Sequence, residues 1–197
     1  MTQAHPIRIP AGDAPITDKL QALIDGQEGP LHVLLEAGTH LCTGLTLRSN
    51  LTLEIAKDAE LRFLPGYELY ATTTVAIVAE ESDRAMMAAR GAENIALIGE
   101  GRIFCNGSTA YSHGDDGEMG TLVASRYRPR ILVLDDCRNV RIEGLRIHDA
   151  PMWTMHFAGC ESISVRNVEV DNNRRMPNTD GIVIDGCRDV DIRNSSF

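Results

Sequence analysis

No stretch of the sequence approaches the ~20 consecutive apolar residues that a membrane-spanning helix requires, so these 197 residues supply no helical anchor. Met1 to Ala14 lacks both the apolar core and the small-residue cleavage pattern of a secretory leader, and nothing in the chain directs export. A cytoplasmic location is expected, with secretion left open. Positive charge is scarce too. Nineteen Lys and Arg stand against 28 Asp and Glu, a net charge of −9, which argues against a general nucleic-acid or anionic-membrane binder. Any anionic ligand would need a local basic patch. The five cysteines (Cys42, Cys105, Cys137, Cys160 and Cys187) are odd in number and lack the short paired spacing of zinc sites. Disulfides, bound metal and cofactor are therefore not expected, and a reducing compartment suits the thiols.

What the sequence does have is repetition. Cys137–Ile147, Cys160–Val170 and Cys187–Phe197 align without gaps, with their cysteines 23 and 27 residues apart. Two weaker copies, Asn50-Leu-Thr-Leu and Asn94-Ile-Ala-Leu, match Asn139-Val-Arg-Ile at separations of 44 and 45, which reads as two units each. A unit of roughly 22 to 27 residues is expected through most of the chain. Each unit carries short runs in period-two alternation, such as Val140/Ile142, Ile163/Val165 and Val190/Ile192, broken by Gly, Asn and Asp. Such a unit cannot bury its apolar face alone, but stacked copies can. The pattern predicts an all-β parallel β-solenoid forming one domain over residues 1–197, with rungs ~4.8 Å apart. Equivalent residues then form ladders, and Cys137, Cys160 and Cys187 are read as a small apolar stack at a turn. One helix is expected, with Thr17 or Asp18 as N-cap, Leu20, Leu23 and Ile24 on one face and Gly26 as the stop, covering the open first coil. At the other end the chain stops at Ser195-Ser196-Phe197 in mid-pattern, which reads as a C-terminally incomplete solenoid.

Several motifs resemble one family in its own order. Ile131 to Leu145, Ala150-Pro-Met-Trp-Thr-Met-His156 and Asn178-Thr-Asp-Gly181, with Glu36-Ala-Gly-Thr-His40 and Asn94 to Ile103 upstream, look like the polygalacturonases of glycoside hydrolase family 28. The resemblance implies a right-handed parallel β-helix and inverting hydrolysis of α-linked galacturonan or related pectic oligosaccharides. The expected partner is a pectic polysaccharide or oligogalacturonide, and the complete molecule is expected to be a monomer. An inverting glycosidase needs an acid for the leaving oxygen and a carboxylate base for water, with carboxyl groups ~6.5 to 9.5 Å apart. By resemblance, Asp180 is one of the residues that hold the attacking water. The resemblance places the acid and a second carboxylate in an Asp-Asp pair on the following coil, then a Gly-His-Gly and an Arg-Ile-Lys motif. None follows Asp180 in this sequence, so the chain is expected to be inactive or impaired by itself. Two other readings stay open: a pectate-lyase-like enzyme using Ca²⁺, and a non-catalytic carbohydrate-binding solenoid.

Beside Asp180 the candidate substrate-binding residues are Asn178, Arg174, Arg175 and His156. Arg174 and Arg175 sit on the turn that should border the cleft, where guanidinium groups suit uronate carboxylates. Arg126, Arg128 and Arg130 form a second basic cluster. Alignment on the cysteines pairs Trp153 with Asp180 and His156 with Val183, with the latter two facing outward. Asp180 then has inward parity with Ile182, so a kink at Gly181 is required if its carboxylate is to face solvent. Ser112-His113-Gly114-Asp115-Asp116 contains similar letters but reads as a surface loop.

Overall fold

The computed structural model describes residues 5–113 and 122–197. Their alternating runs become short parallel strands, and three sheets of seven, six and five strands run side by side along the molecule. One turn of the chain visits each sheet once: Met155–Ala158 in the six-stranded sheet, Glu161–Arg166 in the seven-stranded sheet and Glu169–Asp171 in the five-stranded sheet. The chain then returns to the six-stranded sheet at Ile182–Asp185. This is a right-handed parallel β-helix.

Register places like residues on like. Val33, Leu53, Leu97, Ile142, Val165 and Ile192 stack rung on rung in the seven-stranded sheet. The first five of them are buried in one continuous core. Each fully buried aliphatic side chain contributes about 1.5–3 kcal/mol, and it does so only because the neighbouring rung covers it. The cysteines behave as read: all five are free thiols, Cys137 and Cys160 are buried, and the amide of Cys137 meets the Cys160 sulfur at 3.4 Å.

The corners are held by residues in the left-handed region. Asn50, Asn94, Asn139, Ser162 and Asp189 occupy one corner on five successive rungs, with φ between 53° and 60°. Asn and Asp tolerate this conformation best among non-glycine residues. The first three also bond side chain to side chain, Asn94 Nδ2 to Asn50 Oδ1 at 2.8 Å and Asn139 Nδ2 to Asn94 Oδ1 at 2.6 Å. At the next corner Gly99 (φ 125°) approaches the rung below so closely that a Cβ would lie 2.0 Å from the Ile55 carbonyl oxygen. Only glycine fits there.

These ladders correct one reading of the repeat. Asn50, Asn94 and Asn139 lie on adjacent rungs, so the separations of 44 and 45 residues are one coil each and not two. The extra length leaves the solenoid at a single corner, where the chain passes from the five-stranded to the six-stranded sheet. Three residues of advance suffice from Cys42 to Leu45, but the same passage takes 19 from Phe63 to Ser82 and 26 from Phe104 to Arg130. It takes 7 from His148 to Met155 and 11 from Asp171 to Ile182. The two long excursions fold as antiparallel hairpins, Thr74–Ala79 with Ser82–Arg90 and Tyr111–His113 with Leu122–Ala124. Period-two reading could not assign them to the repeat because Thr74–Ala79, Tyr111–His113 and Leu122–Ala124 pair outside the coil ladder, whereas Ser82–Arg90 is both a hairpin arm and a rung of the six-stranded sheet. Ser112 and His113 therefore sit on a strand rather than in a loop; residues 114–116 lie outside the described residues.

The helix spans Thr17–Gly26 and packs Leu20 and Ile24 onto the first coil. Its N-cap is Ile16, without a side-chain cap, in place of the expected Thr17 or Asp18. The Thr17 hydroxyl is used sideways, accepting from the Thr43 amide at 2.8 Å. That bond ties the helix to a corner of the first coil. No helix among the described residues is long and apolar enough to cross a membrane.

Candidate functional site

The Asp180 turn is the fifth passage at the variable corner, from Asp171 to Ile182. Asn172 organises it from within: its Nδ2 donates to the Thr179 carbonyl at 2.9 Å and to Thr154 Oγ1 at 2.8 Å, while its Oδ1 accepts from the Ala150 amide at 2.9 Å. Thr179 Oγ1 donates to the Met176 carbonyl at 3.2 Å, and Met176 is buried beneath. Sequence reading passed over Asn172, although its place at the start of a turn after a strand is the usual signal for an Asn that bonds to backbone.

Asp180 itself is exposed, and Gly181 forms a bend just before the strand Ile182–Asp185 begins. The required break in alternation is present. Its origin can be read in the rungs beneath. The amide of Ile131 donates to the Trp153 carbonyl at 3.1 Å, and that of Thr154 to the Asp180 carbonyl at 2.8 Å, so Arg130, Trp153 and Asp180 form one column. Ile131 and Leu132 are both core residues, which leaves the preceding residue outside the core on this rung. Arg130 and Trp153 meet His156, Trp153 edge-on with centroids 5.2 Å apart. Asp180 continues that column and, on the highest of the three rungs, reaches solvent. Among the described residues its carboxylate makes no hydrogen bond or ion pair.

Arg174 is exposed and lines a cavity of about 110 Å³ with Thr179, Gly181 and Phe197. Arg175 is exposed as well; its amide donates to Asn173 Oδ1 at 3.0 Å, and its carbonyl accepts from the Leu122 amide at 3.4 Å, which joins this turn to the second hairpin. Asn178 adopts a left-handed conformation (φ 59°), and its Oδ1 accepts from Arg128 Nη2 at 3.0 Å. Arg128 is buried, and its Nη1 donates to the Pro151 carbonyl at 2.9 Å and the Pro177 carbonyl at 2.8 Å. One guanidinium thus fastens three successive coils at the corner that carries Asp180.

His156 faces the outer side of its sheet, in register with Val183 as aligned, but it is only 2% exposed. Arg130 and the edge-on ring of Trp153 lie against it. Arg130 is wholly buried and donates to His156 Nδ1 at 2.8 Å and to the Ser82 carbonyl at 3.0 Å. A guanidinium has no acceptor, so Nδ1 must be the unprotonated nitrogen and the imidazole proton sits on Nε2. The basic cluster is thereby divided: Arg128 and Arg130 are internal, and Arg126 is an exposed partner of Glu81. Among the described residues no three His, Cys, Asp or Glu side chains converge as a metal site.

Burial and the adjacent Arg130 cation hold the His156 pKa below its ordinary value. The unfolded chain therefore binds a proton near pH 6.5 that the folded chain refuses until lower pH. The stability contributed by neutral His156 is complete above pH 6.5 and is lost as pH falls through the depressed value. Urea unfolding at pH 7.5 and at pH 5.5 should show a lower midpoint at the acid pH, with a smaller decrease in His156→Gln; equal decreases in the two chains would contradict the assignment.

The family description "Glycosyl hydrolases family 28" matches residues 46–197. Among curated proteins, the chain is 28% identical over 102 residues to "Probable polygalacturonase At3g15720" of Arabidopsis thaliana, covering 52% of this chain and 20% of that protein. It is 27% identical over 110 residues to "Probable exopolygalacturonase B" of Aspergillus terreus, covering 53% and 25%. The matched stretches thus span about a fifth to a quarter of those relatives. Among solved structures, the family 28 exopolygalacturonase of Yersinia enterocolitica superposes with a TM-score of 0.80 at 18% identity, over 100% of this chain and 44% of that one. The polygalacturonase of Erwinia carotovora gives 0.75 at 16% identity, over 99% and 57%. At such identities the superpositions speak for the fold.

Proposed function

Because the chain belongs to glycosyl hydrolases family 28, we propose that it carries the water-holding half of an inverting hydrolase acting on α-linked galacturonan or a related pectic oligosaccharide. The observation that carries this reading is Asp180: an exposed carboxylate on a turn braced from within and from two coils below. In the reaction, water donates a hydrogen bond to the carboxylate, which orients it, and attacks the anomeric carbon from the face opposite the leaving sugar. The water loses its proton to a carboxylate base, the glycosidic C–O bond breaks with its electron pair, and an acid protonates the departing oxygen. Asp180 is assigned to the first of these steps and the acid is assigned to no residue of this chain.

Arg174 and Arg175 flank the turn and are assigned to uronate carboxylates, which accept well from guanidinium. His156 and Asn178 support the site from beneath: the first underlies the Trp153–Asp180 column, and the second locks the turn onto Arg128.

The test is product analysis. Incubated with oligogalacturonate in the presence of a chelator, the chain should slowly release saturated galacturonate with inverted anomeric configuration, read by proton NMR. An unsaturated product that requires Ca²⁺ would overturn the reading in favour of a lyase. Arg174→Ala should weaken oligogalacturonate binding about tenfold, the loss of one charge-assisted hydrogen bond of roughly 1.5 kcal/mol; unchanged affinity would remove Arg174 from the site.

A further inference from the structure

The two hairpin excursions meet beside the Asp180 turn. Tyr67, from the first, stacks on Tyr127, from the second, with centroids 5.6 Å apart and planes 28° from parallel. Arg84 lies 4.4 Å from the centre of the Tyr67 ring and Arg126 lies 5.1 Å from that of Tyr127. Both guanidiniums are already matched, Arg84 to Glu68 at 2.9 Å and Arg126 to both oxygens of Glu81 at 2.8 and 3.1 Å. The tyrosines therefore form a stiff wall whose nearby cations are spoken for. Beside the wall is a cavity of about 100 Å³, floored by Tyr70, Met86 and Cys105 and closed by prolines that include Pro129 and Pro151.

Its position and chemistry together select a ligand. Pro129 follows Arg128 in the chain, and the Pro151 carbonyl is one of the three acceptors of that guanidinium, so the cavity shares its framework with the turn that holds Asn178. Arg128 bonds the Pro151 carbonyl at the cavity and the Pro177 carbonyl at the Asp180 turn, which puts the two at one corner on successive coils, and the assignment takes a sugar chain seated at Asp180 to extend along that corner. The floor is neutral: the Tyr70 hydroxyl is spent on the Leu64 carbonyl, and burial pushes the Cys105 thiol well above its ordinary value. A uronate carboxylate entering would lose its water without gaining a cation, which is costly. A small uncharged ester fits instead. It places a methyl group on apolar floor, and its carbonyl can accept from the Ser125 hydroxyl at the exposed rim.

We propose that this cavity is a subsite for an ester-substituted pectic sugar, its methyl ester or acetyl group filling the space beneath Tyr127. The assignment rests on the pectic reading of Asp180 and adds to it a preference among pectins. It is tested on the intact chain by titrating three trigalacturonates, one unsubstituted, one methyl-esterified and one O-acetylated, with saturation-transfer NMR on the ester methyl protons. An esterified ligand should bind about tenfold more tightly than the unsubstituted one, with strong saturation of its methyl group. The arm that shows the gain identifies the ester.

Ala110 lines the cavity, and Ala110→Leu fills it; this variant should bind all three ligands alike. Tyr127→Ala, at a side chain 49% exposed and outside the coil core, should also erase the gain. Equal binding of the three ligands by the parent chain, or an ester gain that survives both substitutions, would overturn this subsite and leave the hydrolase reading standing. Failure of every ligand to bind would overturn both.

Discussion

An Asp180→Asn chain is expected to bind oligogalacturonate as tightly as the parent and to cleave it about 10² to 10⁴ times more slowly, the usual range for loss of a group that manages a proton or an attacking water. The substitution keeps size and hydrogen-bonding reach while removing charge, and the Asp180 side chain takes no part in the bonds that brace its turn. Those bonds run through its backbone carbonyl, held by the Thr154 amide, and through Asn172 and Thr179. Thermal unfolding should therefore be unchanged. Comparison of kcat and KM for the two chains, with the melting temperature as control, decides the matter. A kcat within threefold of the parent would remove Asp180 from the chemistry, whereas a fall in melting temperature would show that the carboxylate serves the scaffold.

The larger effect on stability should come from Arg128→Ala. One buried guanidinium supplies the donors for the Pro151 and Pro177 carbonyls and for Asn178 Oδ1. Removal leaves three acceptors without their partner and opens a void between coils, at about 1–3 kcal/mol for each polar group that water cannot reach. A net loss of about 3–5 kcal/mol is expected, or a decrease of roughly 10 °C in melting temperature for a chain of this size. Arg128→Lys should recover less than half, because an ammonium cannot serve three acceptors in the plane of a fork. Oligogalacturonate affinity should fall with stability, since Asn178 and the turn it anchors lose their reference point. A melting temperature within 2 °C of the parent would show that water replaces the guanidinium and that the strut is dispensable.

Much of this architecture was legible beforehand, and the reasons differ from place to place. The Cys137, Cys160 and Cys187 frame gave the rung register directly, down to His156 beside Val183, because a parallel solenoid repeats its corners and a corner residue is chosen for shape. The bend at Gly181 followed from parity together with the condition that the Asp180 carboxylate face solvent. Coil length did not follow. The Asn50, Asn94 and Asn139 ladder looked like every second rung, since nothing in a separation of 44 tells two plain coils from one coil bearing a hairpin. The helix cap failed for a related reason: Thr17 has the right side chain, but its hydroxyl is engaged by Thr43, 26 residues away. Arg128 and Arg130 read, with Arg126, as one basic cluster, whereas the first two are buried. Their burial depends on carbonyls contributed by distant segments, and Asn178 and His156 were assigned to the substrate before those arginines were seen to engage them.

The passages at the other two edges take only 3 to 5 residues on every coil, while the passage before the six-stranded sheet ranges from 3 to 26 residues. That asymmetry divides the molecule into parts that change at different rates. Lengthening a turn at the permissive edge shifts no rung, so its cost is only loop closure, about 0.6 kcal/mol for each doubling of length. Residues added at the Asn or Gly corners would instead throw every later strand out of phase. Tyr67, Tyr127, Arg174 and Asp180 all lie at the permissive edge. A lineage or an engineer can therefore exchange ligand preference by splicing turns there, with the load-carrying stack left as it was.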